Sequence, residues 1–362
     1  MIEYEFSPTG VLYRNQSHLQ DTFTLKVDTK NKLIQQIDPL PNSLFKPFDG
    51  WKKTNEPEEH LDEIAEKIST EVKNPKILCF SYKDESLAKR LKPENEKHDI
   101  LFDEDYGIIK KSPDEISFID FKKAINVQLQ NYNLFIVRHY LEHFSRAEEL
   151  LCSLAEEIKK IEDIYAYIEV PDCSKFIQKR NPLFLWEQHK VYFTNASLRN
   201  QLNESKISIM HEGSYGSSIE PSLCYLVCKE SNNRIINAGK ENSNIKNNLK
   251  KLNEYAKKWN EYLKKQKIPK VLYGIGHNSD RFLQFTKTNR CFDYFVDGDL
   301  AKKDLYLAKT DKAIANYIPL SHDCAMEIII GVHDRNYEAV STKVKTEYPN
   351  ARISSIFSYP KQ

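Results

Sequence analysis

The ten-residue stretch LFIVRHYLEH, residues 134–143, decides the fold of this chain. Its first four residues, Leu134 to Val137, are apolar on both faces of an extended backbone. Such a strand is typical of the centre of a parallel sheet that has helices on both sides. These residues therefore predict the central strand of an α/β domain, and the polar residues behind them lie where such sheets bind ligands.

Apolar runs and helical patterns alternate along the chain around this strand. Further apolar runs lie at residues 76–80, 99–102, 116–121, 165–170, 207–210 and 223–227. Helical spacing of apolar residues is found at 61–72, 86–91 and 147–161. Ser145 and Glu148 have the spacing of a capping box for the last of these helices. This order predicts a doubly wound α/β sheet whose last two strands form a hairpin.

A second, smaller α/β unit is predicted near the end of the chain. An amphipathic helical pattern runs from Ile245 to Leu263, and strand-like runs at 270–273, 294–296 and 328–330 follow it between helical patterns. We therefore divide the chain into three parts. These are a small N-terminal cap of short β elements (1–53), a doubly wound domain (54–230) and a Rossmann-like α/β domain (231–362).

The composition argues against several classes of protein. With 53 basic and 52 acidic residues, the chain lacks the basic excess typical of proteins that bind nucleic acid. No apolar run is long enough to cross a membrane. Residues 1–6 lack the pattern of a secretory signal, so we expect a cytoplasmic protein.

Seven cysteines are scattered along the chain without a C-x-x-C pair. Closely spaced cysteine pairs are typical of structural zinc sites, and even sets of cysteines are typical of disulfide frameworks. We therefore expect neither feature and predict no metal site.

The loop directly behind the central strand is the first candidate site. It places Arg138, His139, Glu142 and His143 within six residues. Imidazoles titrate near neutral pH, and a neighbouring carboxylate can fix an imidazole tautomer. Glu142 and His143 are therefore predicted to be catalytic, and Arg138 and His139 to bind a cofactor. The alternative is that these side chains only pair with buried backbone groups of the loop.

The second candidate site is the segment from Trp186 to Phe193. His189 lies two residues after Glu187 and between aromatic residues, which favours a general base at the mouth of a pocket. We predict that His189 is the base and that Glu187 assists it. The alternative is an aromatic lid with an ordinary hydrogen-bonded histidine. The residues expected to bind substrate around this segment are Asp172, Lys175, Trp186 and Tyr192.

The third candidate site is the strand-to-helix turn from Phe80 to Ser86. Nucleotide-binding sheets place glycines at this turn so that the backbone can approach the ligand, and this turn contains none. Acidic residues after the next strand could grip ribose hydroxyls, although such a run is also typical of a solvated face. The residues expected to line a cofactor at these strand ends are Phe80, Ser81, Asp103, Asp120 and Phe121.

A weaker pattern lies in the C-terminal part. Gly274 and Gly276 open a helical stretch, and Asp297 follows about twenty residues later, as in a shortened dinucleotide turn. Two glycines also suit a plain tight turn. His277 and Asn278, directly after this turn, are predicted to contact substrate.

Three segments of the chain together resemble the sugar C-methyltransferase family. Residues 138–143 look like its R-H-x-L-E-H segment, residues 169–171 like its E-V-P strand end, and residues 187–193 like its E-x-H-x-x-Y-F segment. The Gly-x-Gly turn at 274–276 and the Val-Asp pair at 296–297 are similar to the start of its C-terminal domain. The resemblance spans roughly residues 55 to 355.

The resemblance implies a class I methyltransferase fold and an enzyme of carbohydrate biosynthesis. Members of the family use S-adenosylmethionine to methylate a carbon of a nucleotide-linked keto-deoxysugar. By this resemblance His189 removes the proton next to the sugar ketone, and Glu142 and His143 line the sugar pocket. The chain departs from the family at two places: no cysteine precedes Cys79, where the family has zinc-binding pairs, and the turn at 80–86 lacks glycine.

The glycine-free turn leaves a second function open. A methyltransferase-derived protein could keep the sugar pocket and bind or isomerise a nucleotide sugar without S-adenosylmethionine. In both cases the expected partner is a small nucleotide sugar.

Overall fold

The fold is taken from a computed structural model, which describes residues 1–7, 23–30, 33–38, 57–92, 98–111, 115–216, 221–229 and 245–360. The boundaries predicted at residues 53 and 230 lie outside these ranges. Within them, no helix is long and apolar enough to span a membrane.

The strands and helices follow one another along the whole described chain. In chain order the strands are β1 (Ile2–Phe6), β2 (Phe23–Lys30), β3 (Leu33–Ile37), β4 (Ile77–Cys79), β5 (Asp99–Ile100), β6 (Phe102–Asp103), β7 (Ile109–Lys110), β8 (Leu134–Arg138), β9 (Tyr165–Pro171), β10 (Val191–Tyr192), β11 (Ile207–Gly216), β12 (Pro221–Lys229), β13 (Lys270–Tyr273), β14 (Tyr294–Val296), β15 (Ile314–Ala315), β16 (Glu327–Ile330) and β17 (Arg352–Ser355). The α-helices are α1 (Leu61–Glu71), α2 (Glu85–Leu91), α3 (Phe118–Gln128), α4 (Ala147–Lys160), α5 (Ser174–Gln178), α6 (Asn195–Glu204), α7 (Ile245–Lys250), α8 (Leu252–Lys265), α9 (His277–Thr286) and α10 (Asp334–Glu347).

The largest sheet has the strand order β11-β12-β9-β8-β4-β5. β5, β4, β8 and β9 are parallel, whereas β12 is antiparallel to both β9 and β11. All five residues of β8 are buried, as expected for a central strand. This confirms the predicted doubly wound, class I methyltransferase-like α/β sheet with its terminal hairpin.

Helices cover both faces of this sheet, and successive side chains of β8 point alternately to the two faces. Leu134 and Ile136 pack with apolar residues of α1 and α2 on one face. Phe135 and Val137 pack with α3, α4 and α6 on the other face. The next residue of the first series, Arg138, therefore points to the face that α1 covers.

The C-terminal sheet is entirely parallel, with the order β15-β14-β13-β16-β17. Leu272, Phe295 and Ile329 face the core that includes α8 and α9. Val271, Val296 and Ile328 face α10. The predicted Rossmann-like character of this part is confirmed, because helices again cover both faces of a parallel sheet.

The N-terminal strands form a separate antiparallel sheet with the order β1-β2-β3-β10. Its last strand, β10, comes from the segment that also carries His189. Two of its residues, Val191 and Tyr192, pair with Gln35 and Ile34 of β3. The N-terminal residues are therefore attached directly to a predicted site segment.

Local structure differs from prediction at three places. The capping box of Ser145 and Glu148 is wrong, because α4 begins one residue later and its N-cap, Arg146, makes no side-chain cap. The run at 116–121 belongs to the start of α3 rather than to a strand. The helix predicted over 245–263 is two helices, α7 and α8, separated at Lys251.

Candidate functional site

A buried ion pair joins the ends of the two central strands. Arg138 and Glu169 are direct partners in the pairing of β8 with β9, so their side chains lie side by side on the same face. Nε of Arg138 donates to Oε2 of Glu169 over 2.7 Å, and both side chains are fully buried. Arg138 also donates to the main-chain oxygens of Pro57 and Lys83. The pair therefore connects two strands with two loops.

Glu169 accepts further hydrogen bonds from three side chains. Its Oε1 lies 2.9 Å from Nε2 of His139 and 3.1 Å from Nε2 of His60, and Tyr167 donates to its Oε2 over 3.0 Å. Burial opposes ionisation of Glu169, but the charge of Arg138 and the bonds from His139 and His60 outweigh it and hold its pKa well below the usual range. Glu169 is therefore a buried carboxylate that organises the loop behind β8.

His139 turns the chain directly after β8. Its φ of 48° lies in the left-handed region, which glycine adopts readily and which Asn, Asp and His adopt more often than other residues. Its ring is fixed by Glu169 and lies 3.2 Å from Oγ of Ser222 on β12. The side chain of His139 thus stabilises the turn through its contacts with Glu169 and Ser222. Glu142 and His143 follow this turn in the chain.

The glycine-free turn is closed by its own hydrogen bonds. Ser81 and Asp84 form a capping box, in which the main-chain N–H of Ser81 donates to Oδ2 of Asp84 over 2.8 Å. The main-chain N–H of Arg138 donates to Oδ1 of the same carboxyl group. Burial raises the pKa of Asp84 to about 7, against the opposing effect of these hydrogen bonds and of the Arg138 charge. Asp84 therefore binds the turn to the end of β8.

Aromatic side chains fill the space beside this turn. Phe80 is fully buried, with ring centroids of Tyr140 at 4.6 Å, Phe102 at 5.3 Å and Phe121 at 5.7 Å. Ser81 is also fully buried. In a nucleotide-binding sheet this is the place where the backbone must approach the ligand. The packed rings leave the backbone of residues 80 and 81 inaccessible.

The segment that carries His189 is held by contacts to its main chain. The N–H of Lys190 donates to the main-chain oxygen of Glu142 over 2.6 Å. On the other side, Nε2 of Gln36 donates to the main-chain oxygens of Glu187 and His189. The Tyr192 hydroxyl donates to the oxygen of Trp186 and closes the segment into a loop. This loop brings His189 to the residues behind β8.

Glu142, His143 and His189 converge on one point. One nitrogen or carboxylate oxygen from each lies within 4.8 Å of those of the other two. Nδ1 of His143 lies 3.2 Å from the oxygen of Gln188, and Oε2 of buried Glu142 has no hydrogen-bond partner among the described residues. The two candidate segments are thus brought together by the fold.

His189 is neutral at physiological pH. Burial lowers its pKa well below the usual range, and its neighbours His143, Arg281 and Lys83 lower it further. The ring packs against Trp186, with centroids 4.7 Å apart, and edge-on against His143 at 5.0 Å. Its nitrogen lone pair is therefore available to accept a proton.

The same three side chains are of the types that bind divalent metal ions. A second cluster of such side chains is formed by His60, Glu169 and Cys224. Glu169 is already saturated by its hydrogen bonds, and the positive groups that lower the pKa of His189 also oppose a metal cation beside it.

Residues of the C-terminal part border the site on one side. The ring of His277, at the start of α9, lies 5.5 Å from that of Trp186. The guanidinium of Arg281 lies 5.8 Å from the centre of the same Trp186 ring, and Asn278 accepts a hydrogen bond from it. His277 and Arg281 therefore both lie against Trp186, and Asn278 is bonded to Arg281.

Other predicted residues have local roles. Asp103 accepts hydrogen bonds from the N–H groups of residues 105 and 106, and Asp120 caps α3 with Ser117 and pairs with Lys111 over 2.6 Å. Asp172 accepts the N–H of Ser174, while Lys175 is exposed on α5. These contacts do not connect the four side chains to His189.

In the Gly-x-Gly turn of the C-terminal sheet, a main-chain N–H group is already bonded to an aspartate directly after a strand of the same sheet. Gly274 has a φ of 86°, which explains the glycine. Oδ2 of Asp297 accepts the N–H of Ile275 over 2.7 Å, and Nζ of Lys302 donates to the same oxygen over 2.8 Å. The turn that resembles a dinucleotide site is therefore closed by the Asp297–Lys302 ion pair.

Sequence reasoning missed several residues of the site. Gln36 and Arg281 are far from His189 in sequence, and no motif includes them. Lys83 was within the glycine-free turn, and its Nζ donates to the main-chain oxygen of His139 over 3.0 Å. Lys190 adjoins the predicted base, and burial lowers its pKa to about 8. Adjacency to a predicted site residue was the one available signal, and it applies to Lys83 and Lys190.

Comparisons with known proteins give no family assignment. No protein-family model matches the chain, and none of the curated proteins matches it. Among solved structures, similarity is found to magnesium protoporphyrin IX methyltransferase (ChlM) from Synechocystis PCC 6803 with bound SAH, at 15% identity over 48% of this chain and 83% of that one, with a TM-score of 0.32.

Two other solved structures are similar to the same extent. The CcbJ methyltransferase from Streptomyces caelestis is 10% identical over 50% of this chain and its full length, with a TM-score of 0.33. The N-terminal domain of EvdMO1, in the presence of SAH and D-fucose, is 11% identical over 51% of this chain and 90% of that one, with a TM-score of 0.30. Likenesses this weak assign neither a family nor a function. The class I methyltransferase-like α/β fold is assigned by the order and direction of the strands of the chain itself.

Proposed function

We propose that this chain is a methyltransferase-like enzyme that removes a proton next to the ketone of a nucleotide-activated keto-deoxysugar, with His189 as the base. The observation that carries the proposal is the convergence of neutral, buried His189 with Glu142 and His143. A carbon acid next to a carbonyl needs a base in its unprotonated form. The three motifs that resemble sugar C-methyltransferases support the choice of substrate.

The side chains around His189 have complementary parts in this step. His189 accepts the proton from the carbon, and the electron pair of the broken C–H bond moves to the ketone oxygen as an enolate. The positive groups Arg281 and Lys83 favour that developing negative charge. The negative charge of the developing enolate raises the basicity of His189, which burial otherwise reduces. Glu142 has a buried oxygen without a hydrogen-bond partner among the described residues, and this oxygen can accept a hydrogen bond from a hydroxyl group of the sugar.

The residues of the turn do not fit S-adenosylmethionine in the usual manner. This cofactor would need the backbone at residues 80 and 81, which the packed rings around Phe80 cover. The proposed reaction therefore does not use this cofactor. The favoured outcome for the enolate is reprotonation, which isomerises the sugar without a cofactor.

A second candidate is C-methylation with S-adenosylmethionine. The class I methyltransferase-like sheet and the motif order favour it. In that case the methyl group of the cofactor would replace the proton on the carbon, and His189 would have the same role.

Two measurements test the proposal. The first follows deuterium uptake from D2O into a nucleotide-linked keto-deoxysugar by mass spectrometry, without added cofactor; we expect uptake that is lost in His189→Gln. The second titrates the protein with S-adenosylmethionine and S-adenosylhomocysteine by calorimetry. Uptake without cofactor binding supports isomerisation, and uptake with binding supports methylation. Absence of uptake in the folded protein, with and without S-adenosylmethionine, would contradict both.

A further inference from the structure

Gln36, on β3 of the N-terminal sheet, contacts the segment that carries the proposed base. Its Nε2 donates to the main-chain oxygen of Glu187 over 2.8 Å and to that of His189 over 2.6 Å. Both partners are carbonyl oxygens, so the amide nitrogen and not the amide oxygen must face them. Both N–H groups of one side chain thus bracket three consecutive residues.

Main-chain bonds fix the same segment from two sides. The N–H of Gln36 donates to the oxygen of Lys190 over 2.8 Å, and the N–H of Lys190 donates to the oxygen of Glu142 over 2.6 Å. Gln36 is only 6% exposed, so water does not replace these bonds. The segment from residue 187 to residue 190 is therefore held between the N-terminal sheet and the loop behind β8.

The ring of His189 depends on this backbone. Among the described residues no side chain or main-chain group makes a hydrogen bond to its imidazole, and Trp186 and His143 contact it only by packing. The position of the ring is thus set by where its own main chain lies. A shift of the Glu187 or His189 carbonyl moves the imidazole relative to Glu142.

We propose that Gln36 is a positioning residue for His189. By bracketing the carbonyls of Glu187 and His189, it keeps the imidazole buried at Glu142 and His143. The N-terminal strands then help to position the base, in addition to forming a cap. This inference rests on the proposed function, in which His189 is the base.

The variant Gln36→Leu removes both donors and leaves two buried carbonyls unpaired. We expect the segment to loosen and water to reach the ring, which raises the pKa of His189 by at least about one unit. The measurement is NMR of the full chain labelled with 13C in its histidines, titrated between about pH 4 and 8, because the wild-type pKa of His189 lies well below the usual range. The His189 signals are assigned by their absence in His189→Gln. Deuterium uptake should fall roughly tenfold or more, because the base is misplaced.

Gln35→Leu is the matched control. Gln35 is the neighbouring, half-exposed residue of β3 and points to the opposite face of the strand. This variant should leave the His189 titration and the uptake rate as in the wild type. A loss of stability alone would lower the melting temperature without moving the His189 signals.

Gln36→Glu provides a second variant of the same shape without the two donors. The proposal is overturned if either variant folds and His189 still titrates as in the wild type. It is also overturned if both variants fail to fold, since Gln36 would then serve stability alone. The NMR arm needs no substrate, so it remains decisive even if the wild type shows no deuterium uptake.

Discussion

Nε of Arg138 donates to Oε2 of Glu169 over 2.7 Å, and neither side chain is accessible to solvent. The two residues are direct partners at the ends of adjacent parallel strands. Two buried charges are costly unless each is paired and hydrogen-bonded. Here Glu169 also accepts bonds from His60, His139 and Tyr167, so the cost is offset by a saturated carboxylate.

Removing one partner of this pair should be strongly destabilising. Glu169→Gln leaves the charge of Arg138 buried without a counter-ion, and we expect the free energy of unfolding to fall by about 3–5 kcal/mol. Urea unfolding followed by circular dichroism measures it. The matched control is Glu149→Gln, which breaks an exposed ion pair with Arg146 and should cost less than about 1 kcal/mol. Equal losses in the two variants would contradict a special role for the buried pair.

The buried carboxyl of Asp84 should make stability depend on pH. Its pKa is raised by burial to about 7 in the folded state and is about 3.9 in an unfolded chain. Between these values the folded state binds the extra proton, so the contribution of Asp84 to stability falls as pH rises from about 4 to about 7. Unfolding free energies of wild type and Asp84→Asn across this range isolate the effect.

The prediction concerns the difference in unfolding free energy between the wild type and Asp84→Asn at each pH. The wild type should lose stability relative to Asp84→Asn as pH rises through the window, even though other groups titrate in both proteins. Parallel curves would show that the carboxyl is already ionised at low pH.

Replacing the proposed base should remove turnover and leave the fold intact. We expect His189→Gln to lower the rate of deuterium uptake into the keto sugar by about 10²–10⁴-fold, the range for loss of a general base. Circular dichroism should show an unchanged fold. His322→Gln, which changes a ring stacked on Tyr348, is the control and should keep the wild-type rate. A His189→Gln variant with full activity would exclude His189 as the base.

The aromatic packing beside the glycine-free turn predicts a large core defect on truncation. Phe80→Ala removes a fully buried ring that contacts Tyr140 and Phe102, so we expect a loss of about 3–5 kcal/mol in unfolding free energy. Chemical denaturation of Phe80→Ala and of the exposed Tyr106→Ala compares the two sites. The second change should stay within about 0.5 kcal/mol. A small effect of Phe80→Ala would mean that the space beside the turn is not tightly filled.

Much of the fold was predictable because it depends on local patterns. The run from Leu134 to Val137 is apolar on both faces, and only a central, doubly covered strand suits it. The hairpin of β11 and β12 followed from two apolar runs near the end of the large sheet. The capping box at Ser145 failed because several residues near a helix start can serve as the cap, and local spacing alone does not choose among them.

By itself the sequence determined the α/β class and singled out the two segments, 138–143 and 187–193, on which the proposed site rests. Periodicity and motif spacing are properties of neighbouring residues, so the sequence contains them directly. Only the tertiary structure decided that His189 meets Glu142 and His143, that Gln36 brackets its loop, and that aromatic rings pack beside the glycine-free turn. Those contacts join residues far apart in the chain, and they form because strand pairing and core packing fix where each backbone lies.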